Sequence, residues 1–448
     1  MIYNKYTSKN INKHINKCTN KCTNKCTNKC TNKCTNKCIK QKFNRKKYNK
    51  TVKISNLKGG KYIDEGAFGC VVSPALRCSP KDKNLDKTVS KITREDISNE
   101  LKISSILHKL DPKKKYYLTY IKYCYINKIP SGRDDIVSGH YIDDEFKHFE
   151  IDTKQIHEIK AKKTCKLDLT LNPINIMMEY GGYSLSSIMS ANRKGKGTRA
   201  IMHEMFVANL RMHLKHLILG IVSMHNNRIV NRDIKPKNIM INWNKETNKY
   251  LVRYIDFGLS NFLTTEFCQH ISNINRDGTH RYVSPEIHIA YIIRKYADSS
   301  EYYILKKIKH EIYDNVRKAL LKINEKELLG NLDANILALY KKIKTLYNKK
   351  KILPIYFGTD KNKFNGYVQK SDVYALGYSI FETLYYYSEI DVRQNLELYD
   401  LLIHMITLDP DKRYNAVRCL SHPYLQSTQT QSKKQPATPT TPTPTTAT

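Results

Sequence analysis

Two short segments in the second half of the chain carry side chains that could do chemistry. Asp233 and Lys235 lie in the run Asn231-Arg232-Asp233-Ile234-Lys235-Pro236-Lys237-Asn238, and Asp256-Phe257-Gly258 begins eighteen positions after Asn238. A carboxylate can orient an attacking hydroxyl, while an amide oxygen and a second carboxylate suit a hard cation such as Mg²⁺. A lysine brings a compact positive charge to an anionic group but does not bind a metal. These residue types in this order predict phosphoryl transfer.

The two segments resemble the catalytic loop and the metal-binding loop of protein kinases. The resemblance implies ATP and Mg²⁺ as cofactors, Asp233 as the catalytic base and Lys235 as the contact to the transferred phosphate. It also implies that Asn238 and Asp256 hold the magnesium. One position departs from the family, which has a histidine where this chain has Asn231. That histidine packs and hydrogen-bonds but does not react, so the departure concerns the stability of the active arrangement.

Segments upstream resemble the nucleotide-binding parts of the same family. Residues 63–71 are similar to the glycine-rich loop, in which small residues let backbone amides approach phosphate closely. The family normally has a glycine at the position of Asp64, so the first turn of this loop departs from the pattern. Residues 178–181 are similar to the hinge that contacts adenine, with Met178 at the back of the pocket. The nucleotide-binding residues implied here are Ile63, Gly66, Ala67, Phe68, Gly69, Val71, Glu179 and Gly181.

A lysine and a glutamate should complete the nucleotide site. Lys91 lies inside the short β-type run 88–92, whereas the alternative, Lys87, stands at its polar edge. Glu100 lies on a segment, 95–110, whose apolar residues recur at helical spacing, and it is the favoured ion-pair partner of Lys91. Glu95 and Asp96 are alternatives that would also suit a helix start.

Residues 278–286, which end in Ser284-Pro285-Glu286, resemble the substrate-docking loop of the family. The resemblance implies that Glu286 pairs with Arg413 and that Asp372 braces the catalytic loop. Lys235 together with Thr279 implies transfer to serine and threonine hydroxyls of protein substrates. A small-molecule phosphotransferase should lack the docking segment, and a pseudokinase scaffold should lack part of the catalytic set.

Arg232 implies regulation by phosphorylation between residues 259 and 275, because such an arginine commonly pairs with a phosphate there. The candidates are Thr264, Thr265 and Ser272.

The fold implied is the two-lobed α+β architecture, a small antiparallel β lobe over about 57–180 and a mainly helical large lobe over about 181–425. An insertion covers about 290–365, between Glu286 and Asp372. There Ile304, Ile308, Ile312, Val316 and Leu320 recur every four residues, which predicts one apolar helix face. Either this insertion is a docking platform for substrates or it is an added helical pair packed on the large lobe; the second interpretation is favoured.

Residues 1–56 form a basic low-complexity segment in which Cys-Thr-Asn-Lys repeats. Eighteen Lys or Arg occur in residues 1–61, half of the formal charge of +36, and no acidic residue precedes Asp64. Such a segment should be disordered, and it could bind nucleic acid or an anionic surface through salt-sensitive contacts. Its six evenly spaced cysteines lack the paired grouping of a zinc site. Residues 426–448, rich in threonine and proline, should form a second disordered segment.

The other six cysteines are scattered and none of the motifs needs a disulfide, which favours a reducing intracellular compartment. No apolar run approaches the roughly 20 residues that span a bilayer. Heavy use of Asn, Lys, Ile and Tyr, with the glycine-rich segment, makes the chain similar to kinases of giant, mimivirus-like DNA viruses. Localisation in the host cytoplasm or in the virion is the corresponding expectation.

Overall fold

A computed structural model of the protein describes twelve stretches of the chain. They are residues 61–66, 69–78, 82, 85–93, 97–125, 174–192, 198–244, 249–263, 280–313, 331–348, 366–387 and 392–426. The predictions for the basic segment 1–56, for the tail from 427 onward, for Ala67 and Phe68, and for Thr279 and the three candidate phosphorylation sites lie outside these residues.

A five-stranded antiparallel sheet, in the order β1-β2-β3-β5-β4, forms the small lobe. Val89 to Thr93 of the central strand β3 are all buried, and β-branched residues, which favour strands, supply much of it. The register places Lys91 opposite Val71 of β2 and Ile176 of β5. Lys91 is therefore fixed by a neighbour on each side. The strands are β1 (Lys61–Gly66), β2 (Gly69–Ser73), β3 (Thr88–Thr93), β4 (Tyr120–Tyr125) and β5 (Ile174–Glu179).

Helix α1 (Ser98–Leu110) carries Glu100 into the interior. Glu100, Ile103 and Leu107 are buried, which is the helical spacing that the sequence predicts. Leu110, predicted to lie on the same face, is 39% exposed. The helix ends there, since Asp111 has a non-helical φ of −132° and is followed by Pro112, which disfavours a helical conformation in the residue before it.

The large lobe is mainly helical, as predicted, and the two-lobed α+β architecture is confirmed. Its central helix α8 (Tyr367–Tyr387) buries every described side chain from 367 to 384 except Ser371. The buried set includes the charged residues Lys370, Asp372 and Glu382, so the helix lies inside the lobe on all sides. The other helices are α2 (Leu185–Asn192), α3 (Thr198–Ala208), α4 (Leu210–Asn226), α5 (Pro285–Lys295), α6 (Glu301–Ile308), α7 (Leu332–Asn348), α9 (Leu396–Ile406), α10 (Ala416–Leu420) and α11 (Pro423–Gln426).

Two short sheets hold the loops of the site. β6 (Tyr183–Ser184), β8 (Ile239–Asn244) and β9 (Lys249–Tyr254) pair in the order β6-β8-β9. β7 (Ile229–Val230) pairs with β10 (Asn261–Phe262). The segment 231–238 leaves β7 and enters β8, while 256–258 lies between β9 and β10. Strand pairing therefore brings the two chemically active segments together.

The described part of the insertion consists of the second half of α5, α6, a π-helical turn (Lys309–Tyr313) and α7. Ile304, Ile308 and Ile312 are buried, as the four-residue spacing predicts, whereas Val316 and Leu320 lie outside the described residues. An α-helix has 3.6 residues per turn, so side chains spaced by four drift around its axis. The π turn holds more residues per turn and brings Ile312 back to the face of Ile304 and Ile308. Leu339 and Ile343 of α7 are buried in the core of the large lobe. This packing fits the interpretation of an added helical layer.

Cys78 and Cys124 form a disulfide across 46 residues of sequence. The reducing compartment that the sequence favours does not predict this bond. Sequence spacing gave no sign of the pair, because the segment after β2 meets β4 only in the folded sheet. The buried Asn175 side chain lies beside both sulfurs and donates to the carbonyl of Leu76 at 3.1 Å.

Among the described residues, no single helix is long and apolar enough to cross a membrane. α3 and α4 meet the length and composition criteria only as a pair, and they are bent by 83° relative to each other.

Candidate active site

Lys91 joins two carboxylates from distant parts of the chain. Its Nζ lies 3.0 Å and 3.2 Å from the carboxylate oxygens of Glu100 and 2.8 Å from Oδ1 of Asp256. Burial alone would lower the pKa of Lys91, but Asp256 and Glu100 outweigh it and the pKa is raised. Lys91 therefore stays charged. The alternative, Lys87, is exposed at the end of a 3-10 turn, and its carbonyl accepts the N–H of Tyr180 at 2.8 Å.

Asp256 adopts a left-handed backbone conformation, with φ +62°. This is uncommon for a residue with a Cβ and marks strain that the surroundings must hold in place. The next side chain, Phe257, is buried and packs edge-on to Tyr117, with ring centroids 6.0 Å apart. A Cβ on Gly258 would lie 3.2 Å from Oε2 of Glu100, so glycine leaves room for the ion pair.

The carboxylate of Asp233 is oriented by two neighbours in the same loop. Lys235 Nζ lies 2.9 Å and 2.8 Å from its two oxygens, and Asn238 Nδ2 donates to Oδ2 and to the Asp233 carbonyl, both at 2.9 Å. Burial raises the pKa of Asp233, and Lys235 offsets part of that rise. A raised pKa brings a carboxylate nearer to the working pH of a general base.

Asp233 and Asp256 share one electrostatic environment. The charge of Asp256 adds to the rise in the pKa of Asp233, and Lys235 lowers the pKa of both carboxyl groups. Burial would raise the pKa of Asp256, but Lys91, and then Lys235, hold it below its usual value. The structure therefore brings together Lys91, Asp233, Asn238 and Asp256.

The donor set fits magnesium held with a polyphosphate. Because Asn238 Nδ2 donates to Asp233, its amide oxygen points the other way and is available as a ligand. Asp256 is half-buried and offers a carboxylate. In the described part of the chain no three His, Cys, Asp or Glu side chains cluster to hold a metal by themselves. Mg²⁺ is typically bound by one or two carboxylates, water and substrate phosphates, which this pair would allow.

Asp372, on α8, fixes the backbone of the catalytic loop. Its carboxylate accepts the N–H groups of Asn231 and Arg232, both at 2.8 Å, and lies 3.0 Å from Nε2 of His225. Arg232 has φ +67°, a second left-handed residue in the site. These hydrogen bonds are the contacts by which Asp372 would brace the catalytic loop, as the family resemblance implied.

The β1–β2 hairpin corresponds to the predicted glycine-rich loop, but its two central residues, Ala67 and Phe68, are outside the described part. Gly66 pairs with Gly69, and a bulge interrupts the pairing between Tyr62 and Asp64. A Cβ on Gly69 would lie 2.1 Å from the carbonyl oxygen of Ile92, so the close approach of β3 alone requires glycine there. The predicted Ile63 is 46% exposed. Val71 is half-buried opposite Lys91.

The hinge begins at the end of β5. The Glu179 carboxylate lies 2.9 Å from Lys114 Nζ and 3.4 Å from Arg253 Nη1. Burial would raise the pKa of Glu179, but these two cations lower it. The Glu179 side chain is thus occupied by ion pairs within the protein. A nucleotide could therefore contact Glu179 only through its backbone, together with the buried Gly181. Sequence reasoning missed Lys114 and Arg253, since neither lies in a motif.

A protein kinase domain model matches residues 134–425, more than half of the chain, and the chain therefore belongs to this family. The match begins after β4, so the fold places four strands of the small lobe ahead of it. The relatives include mitogen-activated protein kinase 14C of Drosophila melanogaster, 25% identical over 259 residues, which are 57% of this chain and 61% of that protein.

Two further relatives match shorter regions. Serine/threonine-protein kinase nekl-2 of Caenorhabditis elegans is 31% identical over 118 residues, 26% of this chain and 30% of that protein. Calcium-dependent protein kinase 4 of Plasmodium falciparum is 35% identical over 74 residues, 16% of this chain and 13% of that protein. The chain spans less than two thirds of each of these three relatives.

Proposed function

We propose that this chain is a serine/threonine protein kinase that transfers the γ-phosphate of ATP, bound with Mg²⁺, to hydroxyl groups of protein substrates. The observation that carries the proposal is the continuous ionic cluster Glu100–Lys91–Asp256. It lies beside an Asp233 that Lys235 and Asn238 already orient. These are the groups that orient the hydroxyl, the nucleotide and its metal in phosphoryl transfer.

The residues divide the work by charge. Asp233 accepts the proton of the attacking hydroxyl, and Lys235 stabilises negative charge on the group being transferred. Lys91 holds the phosphates of the bound nucleotide and is itself held by Glu100. Asn238 and Asp256 would hold the metal. Magnesium supplies charge neutralisation on the polyphosphate when it is bound.

The preference for serine and threonine has two supports. Lys235 and Thr279 together match the serine/threonine pattern of the family, and one relative is named a serine/threonine-protein kinase. A panel of peptides that differ only in a Ser, Thr or Tyr acceptor tests this directly. Equal or faster labelling of the tyrosine peptide would contradict it.

Asp233→Asn is the decisive variant for catalysis. It keeps the shape of the side chain but removes the base, and it should lower kcat by roughly 10²–10⁴-fold while ATP affinity stays near the wild-type value. Asp298→Asn, at an exposed position, is the matched control. If purified wild-type protein with Mg²⁺ and ATP labels neither itself nor a panel of basic and acidic proteins, the pseudokinase scaffold becomes the better interpretation.

The basic segment 1–56 supports a second, separate proposal, contact with nucleic acid or an anionic surface. Its lysines would act as counterion-releasing contacts, so binding should weaken steeply with salt. The test compares the full chain with a chain lacking residues 1–55 on single-stranded RNA, on duplex DNA and on anionic vesicles. Equal binding by the two chains would remove the proposal.

Composition supports a giant-virus origin and a place in the host cytoplasm or the virion. Of these two places the Cys78–Cys124 disulfide favours the virion, because disulfides are rare in the reducing cytoplasm. Trapping the free thiols of protein extracted from infected cells would decide the matter, since an intracellular enzyme should yield both cysteines as thiols.

A further inference from the structure

Three polar side chains outside the catalytic set link helix α1 to the catalytic loop. Asn99 Nδ2 donates to the carbonyl of Ser260 at 2.8 Å, and Ser260 Oγ donates to the carbonyl of Asn231 at 3.1 Å. Asn231 Oδ1 then accepts the backbone N–H of Asp233 at 3.0 Å. Asn99 precedes Glu100, so this series of hydrogen bonds begins next to the ion pair and ends at the proposed base.

Two of the three bonds, Ser260 to Asn231 and Asn231 to Asp233, are buried, whereas Asn99 is half-buried. Ser260 is 0% exposed and Asn231 is 1% exposed, so water does not compete for either. In such surroundings a hydrogen bond is strengthened by the low local dielectric, and an unmade bond leaves a buried polar group unsatisfied. Each of the two residues therefore holds its partner in one arrangement.

The bond from Asn231 to Asp233 spans a strained residue. Arg232, between them, has φ +67°, and a bond from an Asn side chain to the N–H two residues on is the turn that asparagine forms readily. Asp372 also contacts this turn, by accepting the backbone N–H groups of Asn231 and Arg232. The Asn231 side chain adds a hydrogen bond to the backbone N–H of Asp233, which Asp372 does not contact.

We propose that Asn99, Ser260 and Asn231 form a polar bridge that couples the position of α1 to the conformation of the catalytic loop, with Asn231 as the positioning residue for Asp233. The proposal rests on the proposed kinase function. Displacement of α1, which carries Glu100, releases the carbonyl of Ser260 and loosens the turn that presents Asp233. Lys102 of α1, whose Nζ lies 5.3 Å from the ring centroid of Phe262 on β10, adds a second contact along the same boundary.

A matched pair of variants at Asn231 tests the positioning role. Asn231→Ser and Asn231→Ala leave similar space, but the serine hydroxyl can still accept the N–H two residues on. We expect kcat of Asn231→Ala to fall at least about tenfold below that of Asn231→Ser, with the KM for ATP within about twofold, because misplacing a reacting group costs rate. A purely structural role would lower the stability of both variants and leave their kcat values equal, which would overturn the proposal.

Coupling along the bridge has its own test, which does not need activity. Asn99→Ala should speed amide hydrogen exchange in the peptide 231–238 by about tenfold or more, although Asn99 does not touch that loop. Lys109→Ala, at an exposed position of the same helix, is the control for general loosening of α1 and should have a much smaller effect.

The outcomes separate the two proposals. Wild-type protein that transfers no phosphate contradicts the kinase function, while faster exchange in Asn99→Ala would still support the bridge. Transfer by the wild type, with unchanged exchange in Asn99→Ala and equal kcat at Asn231, contradicts the bridge alone. A double variant, Asn99→Ala with Asn231→Ala, should lose less kcat than the product of the single losses, since each breaks the same connection.

Discussion

Arg413 and Glu286 form a fully buried, two-pronged ion pair across 127 residues of sequence. Nη1 lies 2.6 Å from Oε1 and Nη2 lies 2.9 Å from Oε2, with both side chains 0% exposed. Ser284 Oγ also donates to Oε1 at 2.7 Å. This pair joins the end of segment 278–286 to the loop before α10. It therefore fixes the position of these two parts of the large lobe relative to each other.

Arg413→Met should lower the free energy of unfolding by about 3–5 kcal/mol, because Glu286 would then be buried without its cation. Urea denaturation followed by circular dichroism measures the change. The double variant Arg413→Met with Glu286→Leu is the control and should recover part of the loss, since no lone charge remains. A single variant within 1 kcal/mol of wild type would contradict the assignment.

Much of the site was predictable because its residues follow local rules. Lys91 lies in a strand pattern, Glu100 lies on a helical face, and Asp233, Asn238 and Asp256 stand in motifs with fixed spacing. The contacts that could not be predicted from the sequence join residues that lie in no motif and at no regular spacing.

Three such contacts stand out. Glu179 meets Lys114 and Arg253 across 65 and 74 residues, and Asn99 meets Ser260 across 161 residues. These separations are set by strand pairing and helix packing, which only the folded chain reveals. The same reason explains the unexpected Cys78–Cys124 bond.

Lys91→Met should reduce kcat/KM by about 10²-fold or more, because preorganised charge at a reacting centre is typically worth that much. Without the ammonium group, Glu100 and Asp256 would face each other with no cation between them. Steady-state kinetics with a peptide substrate measures the effect. Lys87→Met is the matched control, since that side chain is exposed four residues earlier. If Lys87→Met proved the more damaging change, the nucleotide lysine would have been misassigned.

The insertion offers two leucines on one helix with opposite surroundings. Leu339 of α7 is 4% exposed and Leu337 is 40% exposed. Leu339→Ala should cost about 2–5 kcal/mol of stability, because it leaves a cavity in the core, whereas Leu337→Ala should stay within about 0.5 kcal/mol. Chemical denaturation of both variants checks this. Equal, small effects would show that α7 is dispensable for the fold, and the docking-platform interpretation of the insertion would then gain support.

His213 makes the stability of the large lobe depend on pH. It is 2% exposed on α4 and stacks on Phe206 with ring centroids 5.3 Å apart, and its Nε2 has no hydrogen-bond partner among the described residues. Burial, with a smaller effect from His216, lowers the pKa of His213 from 6.5 to about 4. The folded protein therefore resists protonating this ring.

The unfolded chain takes up the proton below about pH 6.5 and the folded chain only near pH 4, so this group makes stability fall as pH drops through that window. Between pH 7 and pH 5 the loss from His213 should be about 2 kcal/mol. His213→Phe should remove this share of the pH dependence in urea unfolding at the two pH values, because phenylalanine does not titrate and can keep the stack on Phe206. His310→Phe, at an exposed position, serves as the control and should keep the wild-type difference. Parallel behaviour of His213→Phe and wild type would mean that the ring takes up its proton as easily in the folded protein as in the unfolded chain.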